Sequence, residues 1–315
     1  MNRERWLRRR TFRGAAMDVR ALRARKRALG ATVSVVLPAL DVAATVGPIV
    51  ERIRDALCGP LDLVDEVVVV DSGSADDSAA VAARAGARVV AARDVLAHLG
   101  PARGKGEAMW KGLAVAEGDI VAFVDADIVG FDPAFVTGLV GPLLLVPDIA
   151  YVKGFYRRNL HGRRDDGGRV TEICARPLVN LLYPELAGFV QPLAGEAAGR
   201  RDLLRALAFP TGYAVELDLL VEIWRRAGLA ALAQVDLGER RHRHQPTAVL
   251  GRMAHEITAT LLDRLAGEGR GVARADDLYA RPVRAGADLV LARRRADLGR
   301  RPPLNAVTPA PAAAP

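Results

Sequence analysis

From residue 31 to about residue 124, short apolar runs alternate with stretches of helical periodicity. The run "ATVSVVLPAL" at 31–40 is apolar and β-branched, bounded by Gly30 and Pro38, and predicts a first buried strand. Val46, Ile49, Val50, Ile53 and Leu57 recur at helical spacing and predict a helix over 45–57. Val67, Val68, Val69 and Val70 predict a second strand over 66–70. An alanine-rich helix is predicted over 76–85, capped by Ser74 or Asp76. A short strand at 87–91, a helix at 106–116 and a strand at 119–124 continue the alternation. Such a series predicts an α/β fold on a mostly parallel sheet with right-handed crossovers. Parallel strands are buried on both faces, so the valine run needs no polar alternation. In these sheets ligands bind outside the C-terminal ends of the strands. The polar loops at 38–44, 71–77 and 125–130 gather there.

Beyond residue 150 the alternation weakens. A strand is predicted at 149–157, then a glycine- and charge-rich loop, "LHGRRDDGGRVTE". Helices are predicted over 173–182, 214–227 and 253–265, with a strand at 231–237. The tail after Arg300, "RPPLNAVTPAPAAAP", reads as disordered. No internal repeat is evident. The pattern divides the chain into a basic arm (1–30), a regular α/β half (31–148), a less regular half (149–270) and a C-terminal extension (271–315).

Composition narrows the classes. Half of the 315 residues are hydrophobic, enough for a sizeable core. Two cysteines, Cys58 and Cys174, build no disulfide framework, and a cytoplasmic location is expected. No apolar stretch reaches membrane-span length, and no secretory leader is evident. The net charge is +8, yet residues 1–30 hold eleven Lys or Arg against two acids. The body is therefore near neutral, and the arm is expected to be a solvated, partly helical leader. Nucleic-acid binding would need interleaved aromatics, and the arm offers Trp6 and Phe12.

Four clusters carry candidate chemistry. Asp125-Ala126-Asp127 puts two carboxylates at a strand end, a sensible site for Mg²⁺ or Mn²⁺ beside a diphosphate. The spacing alone fits a solvated acidic turn as well; the position after a buried strand favours a site. Gly104 and Gly106 bracket Lys105 at a helix start, where backbone can approach an anion and the lysine adds charge. An ordinary loop with a surface lysine remains open. In "GERRHRHQP", Arg240, His242 and His244 share one face of an extended segment and can offer a cation ligand and a phosphate clamp. A lone histidine is more often structural. Arg169 and Thr171 in "DGGRVTE" can hold an anion at a helix start, or merely cap it. No G-x-S-x-G, Walker loop or dinucleotide fingerprint is present.

The ordered succession "VSVVLPAL", "VVVVDSGSADD", "GKGEAMW", "DIVAFVDADI", "KGFYRR", "GGRVTE", "QPLAGE", "GYAVELDLL" and "QVDLGERRHRHQP" resembles the glucosyl-3-phosphoglycerate synthases of actinobacteria. It is similar also to the mannosyl-3-phosphoglycerate synthases of the same retaining glycosyltransferase family. The resemblance covers about residues 30–265. It implies a GT-A fold and transfer of a hexose from a nucleoside diphosphate sugar to the 2-hydroxyl of D-3-phosphoglycerate. It implies that Pro38, Ala39, Leu40, Asp41 and Ser72 line the nucleotide site, with Asp125 and Ala126 beside them. Lys105 would contact the donor, and Leu193 and Glu216 would sit near the sugar. Asp127 and His242 would bind the divalent ion. Arg169, Val170, Thr171, Arg240 and His244 would hold phosphoglycerate. A homodimer is implied, its face expected on the helix after Met253, along with a role in compatible-solute synthesis.

Three positions depart from the family pattern. Asp41-Val42-Ala43 replaces N-E-E, Ala126 replaces the serine of D-S-D, and His244 stands where the glucosyl enzymes tend to have asparagine. UDP-glucose, GDP-glucose and GDP-mannose are therefore all candidate donors. Two other classes are weighed: a polyprenyl-phosphate glycosyltransferase, and a non-catalytic nucleotide-sugar-binding protein.

Overall fold

A computed structural model describes residues 1–101, 103–157, 168–240, 246–270, 278–285, 288–295 and 299–307. In chain order the strands are β1 (Thr11–Arg13), β2 (Val33–Ala39), β3 (Glu66–Asp71), β4 (Arg88–Ala91), β5 (Ile120–Phe123) and β6 (Tyr151–Arg157). They continue as β7 (Ala197–Arg200), β8 (Phe209–Pro210), β9 (Leu232–Glu239), β10 (Leu278–Ala285), β11 (Asp288–Arg295) and β12 (Arg300–Arg301). The helices are α1 (Arg3–Arg9), α2 (Val19–Leu29), α3 (Ala43–Leu57), α4 (Ser78–Arg84) and α5 (Lys105–Val115). They continue as α6 (Ala134–Leu145), α7 (Arg176–Leu182), α8 (Arg201–Arg205), α9 (Val215–Ala227) and α10 (Thr247–Gly267).

Eight strands form one sheet in the order β1-β9-β6-β7-β5-β2-β3-β4. Every pairing is parallel except those of β7, which runs antiparallel to β5 and β6. Both halves of the chain thus share one sheet, with β7 as the seam. The valine run explains itself in this frame. Val67 and Val69 face the layer that holds α3 and α6; Val68 and Val70 face the layer that holds α5 and α9. Successive side chains point to opposite faces, and here both faces are covered.

Several expectations need correction. The basic arm is no solvated leader. Trp6 is fully buried, donates its indole N–H to the Leu232 carbonyl at 2.7 Å and packs on the Phe189 ring. The arm's strand, β1, pairs in parallel with β9 and forms the sheet edge. Lys26 is buried against Asp65 at 2.8 Å. One buried tryptophan outweighs the solubility of its arginines, because those arginines keep their heads in water while the ring leaves it.

The segment after Arg300 is also ordered as far as the description runs, to residue 307. β12 pairs with β8, Leu304 is fully buried, and Trp110 donates to the Pro302 carbonyl at 3.1 Å. Apolar content alone does not betray such a strap, because its anchors are arginines. Helix α6 lacks a prediction because it is apolar on every side, ten of its residues being buried. No amphipathic period marks such an element. Finally, Asp76 does more than cap one helix. Its carboxylate accepts from the N–H groups of Ser78 and of Ala43, each at 3.0 Å, so it serves the starts of α4 and α3 together.

Candidate active site

Strand β5 ends at Phe123, and the chain turns outward through Asp125, Ala126 and Asp127. The Thr45 hydroxyl on α3 donates to the Ala126 carbonyl at 2.6 Å and pins this turn. The two carboxylates take different roles. Asp125 has both oxygens engaged: Oδ1 lies 2.6 Å from Lys105 Nζ and Oδ2 lies 2.9 Å from Arg240 Nη1. Asp127 is exposed, with Oδ1 at 2.8 Å from Arg240 Nη2. Lys105, at the start of α5, reaches Glu216 on the first turn of α9 at 2.8 Å. Arg240, just beyond β9, meets Glu196 at 2.7 Å and donates to the Tyr156 hydroxyl at 2.7 Å.

Burial opposes each of these charges, but the partners win. Burial disfavours the Lys105 ammonium, yet Asp125 and Glu216 hold its pKa well above the ordinary lysine value. Burial would raise the Asp125 carboxyl, yet Lys105 and Arg240 hold it below the usual carboxylate range. Lys153 on β6 behaves differently. It is 1% exposed, and burial, only partly offset by Glu216 and Glu196, pulls its pKa down to about 8. Three cations (Lys105, Lys153 and Arg240) thus lie among three carboxylates (Asp125, Glu196 and Glu216), with Asp127 at the rim.

The glycines around Lys105 have a packing role beside the ligand approach that the sequence suggested, and Gly104 itself lines the cavity over this cluster. A methyl on Gly104 or Gly106 would overlap the backbone carbonyls of Thr211 or Pro210. They are small so that α5 can press against the 209–212 segment, which sets where Lys105 points. Gly195 is the glycine that guards the site. A methyl there would overlap the Lys105 ammonium and the Asp125 carboxylate.

One cavity of about 410 Å³ opens over this cluster. Pro38, Ala39, Leu40 and Ser72 line one end of it, at the C-terminal ends of β2 and β3. Arg169, Val170 and Thr171 line it where the π-helical turn into α7 begins. Lys105, Asp125, Ala126, Asp127, Leu193, Glu216 and Arg240 complete the set of predicted residues it brings together. Asp41 is not among the residues lining the cavity, between Leu40 and Val42, which are; its carboxylate accepts from the Ala75 N–H at 2.8 Å and its own N–H donates to the Ser74 hydroxyl oxygen at 3.0 Å. It ties two loops together in a left-handed backbone conformation, φ 53°. Arg240 lines the cavity, and its guanidinium is engaged by three carboxylates, Asp125, Asp127 and Glu196. His242 and His244 lie outside the described residues.

Sequence reasoning missed Glu196, Lys153 and Tyr213. The last lines the cavity, 43% exposed. Glu196, just before β7, and Lys153, in β6, sit inside motifs that were noticed, but a lone charged residue there shows no period that separates buried from exposed. The α10 residues Met253 and Ile257 also line the cavity, and Ile257, Leu261 and Leu265 are buried in the core. That face of α10 is therefore spent inward, correcting the dimer face expected there.

Comparison with known proteins places this geometry. Residues 34–201 match the glycosyl transferase family 2 model. The glucosyl-3-phosphoglycerate synthase of Mycolicibacterium smegmatis is 48% identical over 272 residues, 85% of this chain and 88% of the relative. The chain belongs to the glucosyl-3-phosphoglycerate synthase family of glycosyltransferases. A relative of the same name from Petrotoga mobilis is 44% identical over 76% of this chain and 74% of its own length. Among solved structures, mannosyl-3-phosphoglycerate synthase from Rubrobacter xylanophilus superposes with TM-score 0.90 at 42% identity, covering 96% of this chain and 99% of that one. Glucosyl-3-phosphoglycerate synthase from Mycobacterium tuberculosis, in complex with Mn²⁺, uridine diphosphate and phosphoglyceric acid, gives TM-score 0.83 at 42% identity, over 93% and 96% of the two chains. The GT-A expectation agrees with these likenesses.

Proposed function

We propose that this chain transfers the glucosyl group of UDP-glucose to the 2-hydroxyl of D-3-phosphoglycerate with retention of configuration. The observation that carries the reading is that one cavity brings the predicted site segments together. Its floor is the Lys105–Asp125–Glu216 cluster, and its two ends are formed by segments suited to different ligands. The 38–40 segment and Ser72 would receive the nucleotide. Arg169 and the helix start at Val170 and Thr171 would receive the acceptor's anionic groups.

The donor set suits a divalent ion. Asp127 is a solvent-facing carboxylate that lines the cavity, with Oδ1 on Arg240, next to where a diphosphate would lie. Mg²⁺ and Mn²⁺ accept one protein carboxylate together with phosphate oxygens and waters. Asp127, with His242, would hold the ion. When bound, such an ion supplies positive charge that stabilises the departing diphosphate. Lys105 adds its own fixed charge on the donor side and stays protonated because of Asp125 and Glu216. In the transfer, the bond from the sugar's anomeric carbon to the diphosphate breaks and a bond to the acceptor oxygen forms. Asp125 has both oxygens engaged and Glu216 pairs with Lys105, so neither is a ready nucleophile. A same-face transfer follows, the acceptor's proton passing to the leaving phosphate oxygen.

The test is a donor-by-acceptor screen with Mg²⁺ or Mn²⁺, following released nucleotide. UDP-glucose with 3-phosphoglycerate should turn over. A preference for GDP-mannose would favour the second reading, a mannosyl transferase, to which the Rubrobacter likeness lends weight. A covalent glycosyl-enzyme in a trapping experiment would overturn the same-face route. Among the described residues no helix is long and apolar enough to cross a membrane, which removes one support from the polyprenyl-phosphate reading. The homodimer, too, belongs to this proposal. Ile173 and Leu181, each 78% exposed, offer it an apolar face, and light scattering checks it. Cytoplasmic location and supply of a compatible-solute precursor complete the proposal.

A further inference from the structure

Helices α5 and α9 carry the Lys105–Glu216 pair at their starts, and each carries a buried acid two residues after its member of the pair. These are Glu107, 2% exposed, and Asp218, 1% exposed. Two residues on a helix turn the side chain through roughly 200°, so these acids point away from the cavity. Consecutive arginines of β12 meet them there. Arg300 Nη1 lies 2.6 Å from Asp218 Oδ2, and its Nη2 donates to Oδ1 at 3.2 Å. Arg301 Nε lies 2.7 Å from Glu107 Oε2, and its Nη2 donates to Oε1 at 2.9 Å. Neighbouring residues of a strand point to opposite sides, which is why one two-residue strand can grip two helices.

The grip is anchored on all sides. Arg301 also donates to the carbonyls of Leu99 and Gly100, at 2.8 and 2.9 Å, and lies over the Trp110 ring. The Thr211 N–H donates to the Gly299 carbonyl at 3.0 Å. Thr211 is the residue whose carbonyl presses on Gly104, directly before Lys105. Neither acid depends on the strap for its charge balance. Glu107 retains Lys111 at 3.1 Å, and Asp218 retains Arg264 at 2.8 Å. The arginines therefore add two-pronged, orientation-fixing contacts rather than rescue from bare charge.

We propose that Arg300 and Arg301 are positioning residues: a C-terminal clamp that sets α5 against α9 and so holds Lys105 and Glu216 in register for transfer. It rests on the reading of that pair as the floor of the active site. The test uses full-length protein carrying Arg300→Met, Arg301→Met, both, or Arg301→Lys. Turnover, both KM values, UDP affinity with Mg²⁺ and thermal midpoints are measured. The double variant should lose about 10- to 100-fold in kcat, the range that small misplacements cost. UDP affinity should stay within twofold, because 38–40 and Ser72 are untouched, and Arg301→Lys should recover part of the loss. Variants with wild-type kcat overturn the clamp, and so does a kcat loss that only tracks the unfolded fraction at the assay temperature. If the double variant does not fold, the single variants decide by the same criteria. Absence of turnover in the wild-type chain would instead defeat the transferase reading itself.

Discussion

Replacing Gly195 by alanine probes the site with a single methyl group. Its backbone lies outside the left-handed region, so alanine brings no torsional strain there. The methyl would stand 2.5 Å from Asp125 Oδ2, whereas ordinary contact begins near 3.4 Å. Asp125 must therefore yield by at least about 0.9 Å, the difference between those two distances, because its Oδ1 and the Lys105 ammonium lie closer to the methyl still. It cannot do so freely. Lys105 holds one oxygen at 2.6 Å and Arg240 the other at 2.9 Å, and Lys105 is itself tied to Glu216. A displacement near 1 Å at reacting groups costs about 10²-fold in rate. Overpacking a tight site costs about 1–3 kcal/mol of stability. Steady-state turnover of UDP-glucose and 3-phosphoglycerate, read beside denaturant unfolding, measures both. A variant with kcat within threefold of wild type and unchanged unfolding would falsify the claim that Gly195 keeps the Lys105–Asp125 pair in place.

Lys153→Met tests the buried ammonium. Because the folded pKa falls from 10.5 to about 8, the native chain binds fewer protons than the unfolded chain between those values. The burial penalty is fully present below pH 8 and disappears as pH rises through 10.5. Methionine should thus stabilise by about 3 kcal/mol at pH 7, with the advantage fading toward pH 10.5, by urea unfolding across pH. Trp6→Ala should destabilise by about 3–5 kcal/mol, and a change below 1 kcal/mol by chemical denaturation would restore the solvated-arm picture. Asp127→Asn should lower Mn²⁺-supported turnover at least about tenfold, since even outer partners of a metal ligand matter that much. Its exposure keeps the unfolding free energy within about 0.5 kcal/mol. Equal metal titration curves for variant and wild type would remove Asp127 from the ion site.

The fold was legible wherever burial followed a period. The residues of β2, β3 and β5 are apolar and β-branched, and α3 shows one apolar face, so neighbouring residues alone sufficed. Helix α6 was illegible for the opposite reason: covered all round, it has no face to reveal. β7 escaped because three small residues and an arginine, Ala197 to Arg200, carry little pattern, and its antiparallel pairing depends on strands distant in sequence. The candidate site was legible as motifs at strand ends, and all the described predicted residues except Asp41 face one cavity.

By itself the sequence determined which segments are strands and helices across the first half, which loops carry the chemistry, and to which family the chain belongs. Local order and motif succession live in neighbouring residues, and a linear reading captures them. Only the tertiary structure decided which charges pair. On sequence grounds Asp125, Arg240 and Arg300 carry no sign of their protein partners. Each takes one at least 80 residues away along the chain. A charged side chain looks the same in sequence whether its counter-charge is water or a buried acid, and the free energy of burying it depends on that partner.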